Sequence, residues 1–245
     1  MILGIDNFEQ FKIFFDVIYD ITDLVEFQLF DDHITCSILD KTRTRFMSVT
    51  YDEDFFAVYE KGDENSVVLF AEDLHKIIKS AGKINYVLFE TNENYFTCKF
   101  ESINGNSRVF EFVLPFEQID SPQPPSINFS VMFELDLKDL KQSINDLKVI
   151  GSHEILFKTV DKTLNISAGV EVTTNYVSLI NLPNSCENRS SRYSLEYLEQ
   201  LLKFNKISQR GLFKLGDDFP LVYSFKDEGM GVEVTGMIAP RLQVD

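Results

Sequence analysis

The chain has no tryptophan and only 3 cysteines, 7 prolines and 11 glycines among its 245 residues. Cys36, Cys98 and Cys186 are far apart, odd in number and free of CxxC spacing, which argues against a disulfide framework or a cysteine zinc site and fits a reducing compartment. No apolar run reaches the roughly 18 to 20 residues that a spanning helix needs, and the N-terminus lacks a basic flank followed by a small-residue cleavage site. A soluble, intracellular protein is expected, and the N-x-S triplets at Asn128, Asn165 and Asn188 are read as chance. Catalytic signatures are missing too: there is no GxxxxGK[ST], HExxH or GxSxG, and Gly229-Met230-Gly231 lacks a third glycine at dinucleotide-binding spacing. His33, His75 and His153 have no grouping with carboxylates or cysteines and are expected at the surface or in turns. Asp31-Asp32 and Asp217-Asp218 could hold Mg²⁺, but both fall where hairpin turns are expected, and aspartate serves such turns by local hydrogen bonding. The expectation is a protein that is not an enzyme and uses no metal or cofactor.

Positive charge is also scarce. Lys and Arg number 23 against 39 Asp and Glu, a net charge of −16, which argues against a nucleic-acid partner unless the cations are concentrated on one surface. Their placement depends on the helices. Apolar periodicity predicts four: Phe8 to Thr22 with Phe8, Phe11, Phe15 and Ile18 inward; Ala71 to Gly82 with Leu74, Ile77, Ile78 and Ala81 inward; one capped by Asp136 with Leu137, Leu140, Ile144 and Leu147 inward, ending near Gly151; and one capped by Ser194 with Leu195, Leu198 and Leu202 inward. Between and after them lie strand-like runs rich in Val, Ile, Phe and Thr, with turn signals at Asn104-Gly105-Asn106 and Asp227-Glu228-Gly229.

The order of elements repeats. Glu26 to Leu39 corresponds to Glu154 to Ala168, Thr44 to Tyr51 to Asn175 to Leu182, and Tyr86 to Leu114 to Gly211 to Ile238. Two copies of one α+β unit are predicted, residues 1–116 and 131–245. The segment 117–130 joins them, extended by Pro122, Pro124 and Pro125. On this frame Lys76, Lys79 and Lys83 form one stripe on the second helix. Lys138, Lys141 and Lys148 form another on the third, and Lys203 and Lys206, with Arg210 just beyond, a third. One lysine stripe is usually a solvated helix face. Three in so acidic a chain point to a cationic strip for sequence-independent phosphate contacts. Lys12 on the first helix is a weaker member, since Asp16 and Asp20 follow it.

Several segments resemble the proliferating cell nuclear antigen (PCNA) family. Met237-Ile238-Ala239-Pro240-Arg241 resembles that family's hydrophobic-Leu-Ala-Pro-basic ending, and Leu215-Gly216-Asp217-Asp218-Phe219-Pro220-Leu221 the segment before it in archaeal members. Tyr193-Ser194-Leu195-Glu196-Tyr197-Leu198 is similar to the start of the fourth helix, Leu39-Asp40-Lys41-Thr42-Arg43 to a Met-Asp or Leu-Asp step, and Ser121 to Ile127 to a proline-rich connector. The resemblance implies an α+β DNA clamp fold of two similar domains, antiparallel sheets outside and helices lining a central hole in a trimeric ring. It implies a non-catalytic sliding clamp that encircles double-stranded DNA, confers processivity on DNA polymerase, and docks the polymerase, clamp loader, flap endonuclease and DNA ligase through short peptides. The location would be the cytoplasm or nucleoid of an archaeon, or a eukaryotic nucleus. A clamp-like subunit of a heterotrimeric checkpoint or scaffold ring is the alternative. Carried over by residue, the peptide pocket comprises Leu39, Thr44, Ile127, Pro220, Met237, Ala239 and Pro240. The subunit interface uses the edges Ser107 to Leu114 and Thr173 to Leu179, with Phe110, Phe112, Val177 and Leu179.

Overall fold

The computed structural model describes residues 1–6, 8–82, 84–92, 94–102, 104–115, 119, 121–168 and 175–242. The chain divides into two compact units, one of Met1–Lys41, Met47–Gln123 and Lys226–Val234, the other of Thr42–Phe46, Pro124–Phe225 and Thr235–Asp245. Among the described residues no helix is long and apolar enough to cross a membrane.

The first unit runs β1 (Ile2–Ile5), α1 (Phe8–Ile18), β2 (Leu24–Leu29), β3 (His33–Leu39), β4 (Arg45–Asp52, its first two residues belonging to the second unit), β5 (Val58–Glu60), β6 (Ser66–Phe70), α2 (Ala71–Ser80), β7 (Ile84–Thr91), β8 (Tyr95–Ser102) and β9 (Ser107–Val113). An antiparallel sheet has the order β5-β1-β7-β8-β9, and β2 pairs with both β3 and β6. Alternation drives these strands: Val25, Phe27 and Leu29 of β2 and Ile34, Cys36 and Ile38 of β3 face inward. α1 buries Phe8, Phe11, Ile13, Phe14, Phe15, Val17 and Ile18, so it is covered almost all round. Phe11 anchors an aromatic core, its ring centroid 4.8 Å from Phe15, 5.3 Å from Tyr51 and 5.5 Å from Phe89.

α1 stops four residues short of the expected Thr22, and the Ile18 carbonyl at its end accepts from the amides of both Ile21 and Thr22. α2 keeps Leu74, Ile78 and Ala81 inward but leaves Ile77 half-exposed. Its start has no side-chain cap; the Ala71 amide bonds instead to the carbonyl of Asp23, a partner distant in sequence. Gly82 and Gly151, at φ 70° and 75°, stop α2 and the third helix as expected. His75 departs from the surface or turn position read from sequence. It is buried between α1 and α2, its ring stacked 3.9 Å from that of Tyr19 and its Nδ1 3.2 Å from the Phe15 carbonyl oxygen.

The second unit runs β10 (Val131–Asp136), α3 (Leu137–Val149), β11 (Glu154–Ala168), β12 (Val177–Ser194), α4 (Leu195–Leu201) with a 3-10 continuation Leu202–Lys206, β13 (Arg210–Leu215), β14 (Leu221–Asp227) and β15 (Val232–Ile238, shared with the first unit). β10 pairs antiparallel with β13, the strand after its second helix, as β1 pairs with β7 in the first unit. The repeat is therefore one of topology as well as order. The correspondence is looser where Glu26 to Leu39 forms parts of two strands, whereas Glu154 to Ala168 is one long strand. Asp161, at φ 51°, puts register shifts into that strand's pairing with β12.

Asp136 caps α3 as expected, accepting from the Lys138 amide at 2.8 Å, a contact of about 1 kcal/mol. Ser194 makes no side-chain cap; the Leu195 amide bonds to the His153 carbonyl instead. Because α4 tightens to 3-10 geometry, Leu201 and Phe204 are buried and the expected Leu202 is half-exposed.

Candidate nucleic-acid, partner and assembly surfaces

In the first unit Lys76 and Lys79 are exposed on α2, and Lys76 is held by Glu72 one turn earlier at 2.6 Å. Glu72 raises the Lys76 pKa, so the ammonium stays charged. Lys12 is half-buried on α1, and Lys83 lies outside the described residues. In the second unit Lys138, Lys141, Lys148, Lys203, Lys206 and Arg210 are all exposed. Lys138 and Lys141 share a groove with Asp136, Leu202, Asn205 and Gln209, so α3 and the 3-10 end of the fourth helix form one surface there. Lys148 Nζ lies 2.7 Å from Glu199 Oε1, and Arg210 is 4.0 Å from Glu134.

Of the residues that the resemblance assigns to a peptide pocket, Thr44, Ile127, Pro220, Met237, Ala239 and Pro240 belong to the second unit and Leu39 to the first. All seven are half-exposed, neither sealed in a core nor fully solvated. The Ala239 amide donates to the Thr44 carbonyl at 2.8 Å, and the Arg241 amide to the Arg192 carbonyl at 2.8 Å, tying the C-terminal segment to the residue before β4 and to β12. Beside Pro220, the ring of Phe219 packs edge-on against Phe129 at 6.4 Å, and the Phe219 carbonyl accepts from the Tyr193 hydroxyl at 2.9 Å. Phe129 was not singled out from sequence, and Phe219 entered only as part of the segment Leu215 to Leu221. Only their aromaticity beside turn residues could have marked them.

Aspartates 217 and 218 do not hold a purely local turn. Asp217 Oδ1 accepts from the Ser190 amide at 2.7 Å and Oδ2 lies 3.4 Å from Arg189, tying the β13–β14 turn to β12, while Asp218 takes φ 52°. Among the described residues no cluster of three or more His, Cys, Asp or Glu could hold a metal ion.

Phe110 and Phe112 lie on β9, an edge strand of its sheet, and both are half-exposed, packing against Phe100 and Phe96 of β8 at 5.8 and 5.9 Å. The opposite face of β9 shows Val109 and Val113 at 59% and 60% exposure, with Glu111 between them. Sequence reasoning named the two phenylalanines and missed the valines, although strict alternation signals them. On β12, Val177 and Leu179 are 60% and 66% exposed, in a two-stranded pairing with β11 alone; Thr173, at the start of the predicted edge, lies outside the described residues. Among the described residues each unit thus has an apolar strand at the edge of its sheet.

No family model matches the chain. It is similar to the DNA polymerase sliding clamp of Methanothermobacter thermautotrophicus, 27% identical over 232 residues that cover 94% of this chain and 93% of that protein. The structure of PCNA from Thermococcus kodakaraensis superposes with a TM-score of 0.86 at 19% identity, covering 98% of this chain and 99% of that one. A second PCNA, from A. fulgidus and solved with the C-terminal region of FEN-1 bound, superposes at 0.85 with 18% identity, covering 100% and 99%. Two repeated α+β units with antiparallel sheets define the DNA clamp fold. In fold the chain is a DNA clamp, and along nearly its whole length its sequence is similar to archaeal DNA polymerase sliding clamps.

Proposed function

We propose that three copies of this chain close head to tail into a ring that encircles duplex DNA and tethers DNA polymerase, raising its effective concentration at the primer end. The observation that carries this reading is full-length likeness to sliding clamps in a chain that exposes lysines on α2, on α3 and on the 3-10 stretch Leu202–Lys206 after α4. The two clamp domains are residues 1–116 and 131–245, with 117–130 as connector. Lys12, Lys76, Lys79, Lys83, Lys138, Lys141, Lys148, Lys203, Lys206 and Arg210 face the phosphates. Such contacts carry no base information, so the ring binds any sequence and slides.

The strand edges at Phe110 and Phe112 and at Val177 and Leu179 join neighbouring subunits by completing each other's sheets. Leu39, Thr44, Ile127, Pro220, Met237, Ala239 and Pro240 receive short peptides from polymerase, clamp loader, flap endonuclease and ligase; the FEN-1 segment bound to the A. fulgidus relative supports this docking mode. The ring is non-catalytic and works inside the cell on chromosomal DNA, in the cytoplasm or nucleoid. Light scattering on the purified chain is the direct test. A mass three times 28.3 kDa is expected, and a stable monomer that assembles only with paralogous chains would replace this reading with the heterotrimeric one.

A further inference from the structure

Arg45 links two surfaces that sequence reading treats as independent. Its Nη1 donates to Gln200 Oε1 at 2.9 Å, and its guanidinium lies 4.4 Å from the centroid of the Tyr197 ring, a cation–π contact. Immediately before it in the chain, the Thr44 carbonyl holds the Ala239 amide at 2.8 Å. Thr44 is one of the residues read as pocket wall, whereas Arg45 is not, and the tip of the Arg45 side chain grips the last turn of α4.

That turn ends where helix geometry changes. Residues Leu195–Leu201 are α-helical and Leu202–Lys206 are 3-10, and the second stretch carries Lys203 and Lys206. Hydrogen bonding at its far end is divided between the two geometries: the Phe204 carbonyl accepts from Ile207 at 2.9 Å, the 3-10 pattern, and from Ser208 at 3.1 Å, the α pattern. An α-helix advances about 100° per residue and a 3-10 helix about 120°. Shifting the boundary by one residue therefore turns every later side chain by roughly 20°, and converting all five residues swings Lys206 by about 100°. α4 is also held to α3 by Glu199 and Lys148, so both side-chain anchors act on the turn just before the boundary.

We propose that Arg45 is a positioning residue that transmits occupancy of the peptide pocket to the α/3-10 boundary of the fourth helix, and so sets the direction of Lys203 and Lys206. A peptide seated against Thr44 and Ala239 displaces the segment Thr42–Phe46 that leads into β4, Arg45 carries that displacement to Tyr197 and Gln200, and the boundary moves. The inference rests on the pocket reading given above.

Its test uses the full-length protein and a synthetic peptide copying the C-terminal region of an archaeal FEN-1. Calorimetry establishes peptide binding, and hydrogen exchange by mass spectrometry follows residues 195–208 with and without saturating peptide. In the wild type, exchange across 195–208 changes by about threefold or more on peptide binding. In Arg45→Met the peptide Kd stays within about threefold of wild type while that response disappears. Gln200→Ala, which leaves Arg45 and the strand intact, gives the same loss and serves if Arg45→Met fails to fold. Peptide that binds the wild type without altering exchange at 195–208, or a response that persists in either variant, overturns the inference alone. Peptide that does not bind the wild type overturns the pocket reading and the inference with it.

Discussion

Lys148 on α3 and Glu199 on α4 form an ion pair of 2.7 Å between two exposed side chains, so one of the cations assigned to DNA is already engaged by an internal carboxylate. An exposed pair of this kind contributes little to folding, of the order of 0 to 1 kcal/mol. Its larger effect is on the field that phosphate meets. Replacing Glu199 by Gln releases Lys148 and removes a negative charge. Affinity for a short linear duplex should rise a few-fold at low salt, and the slope of log K against log salt should steepen by up to about one unit. Fluorescence anisotropy across a salt series measures both, and an unchanged slope would remove Lys148 from the DNA surface.

Joint replacement of Lys76, Lys79, Lys141, Lys203 and Lys206 by Ala should abolish loading and DNA-stimulated polymerase activity while leaving the mass of the assembly unchanged. Five lost phosphate contacts correspond to a decrease of roughly four to five in the salt slope. A variant that still supports processive synthesis would refute the placement of these lysines on the DNA side.

In the pocket, Met237→Ala combined with Pro220→Ala removes apolar surface from two half-exposed walls. Each lost anchor contact is worth about 1 to 2 kcal/mol, so peptide Kd should rise tenfold or more with no change in oligomeric state. Calorimetry and light scattering on the same sample separate the two effects. Equal peptide affinity would place the docking site elsewhere.

At the strand edges, Val109→Asp or Leu179→Asp puts a charge on a side chain that is 59% or 66% exposed in the isolated chain. Because the change costs the monomer little, circular dichroism and thermal unfolding of the dissociated chain should stay near wild type. The assembled mass should fall toward that of one chain, since a carboxylate buried without a partner at the interface is costly. A variant that remains trimeric would show that these edges do not meet.

Tyr59 supplies a pH prediction independent of assembly. Its hydroxyl donates to the carbonyls of Phe30 and His33, and burial, with help from Asp32, Asp31 and Glu53, pushes its pKa from 10.0 up to about 12. The unfolded chain therefore releases this proton before the folded one does, and stability contributed by the protonated phenol is lost as pH rises from about 10 through about 12. Tyr59→Phe should flatten the decline in denaturation midpoint over that interval. A decline identical to wild type would show that other groups account for it.

The positions of three helices, the caps at Asp136 and Gly82, the turn at Asn104-Gly105-Asn106 and the repeat of strand–helix order were all legible from sequence, because each depends on neighbours within a turn or two. The start of α2 was not, since its first amide is satisfied by the carbonyl of Asp23 rather than by a nearby cap residue. The inward face of the fourth helix was only half read. Its change to 3-10 geometry rotates Leu201 into the place expected of Leu202, and nothing in the local spacing announces the change. On the candidate surfaces, the exposure of the lysines agreed with their helical spacing, whereas the valines of β9 were passed over in favour of its more conspicuous phenylalanines.

By itself the sequence determined where the helices and several of the strands lie, which helix faces are apolar, and that helical spacing puts a share of the basic residues on shared stripes, because periodicity and capping are properties of short stretches of chain; the strands β1, β5, β6 and β10 were not read from it. Only the tertiary structure decided that His75 is buried against Tyr19, that Lys148 is paired with Glu199, that β9 and β12 lie at the edges of their sheets, and that Arg45 reaches Gln200, 155 positions away. Such contacts depend on how distant segments pack, and no local pattern of residues encodes them.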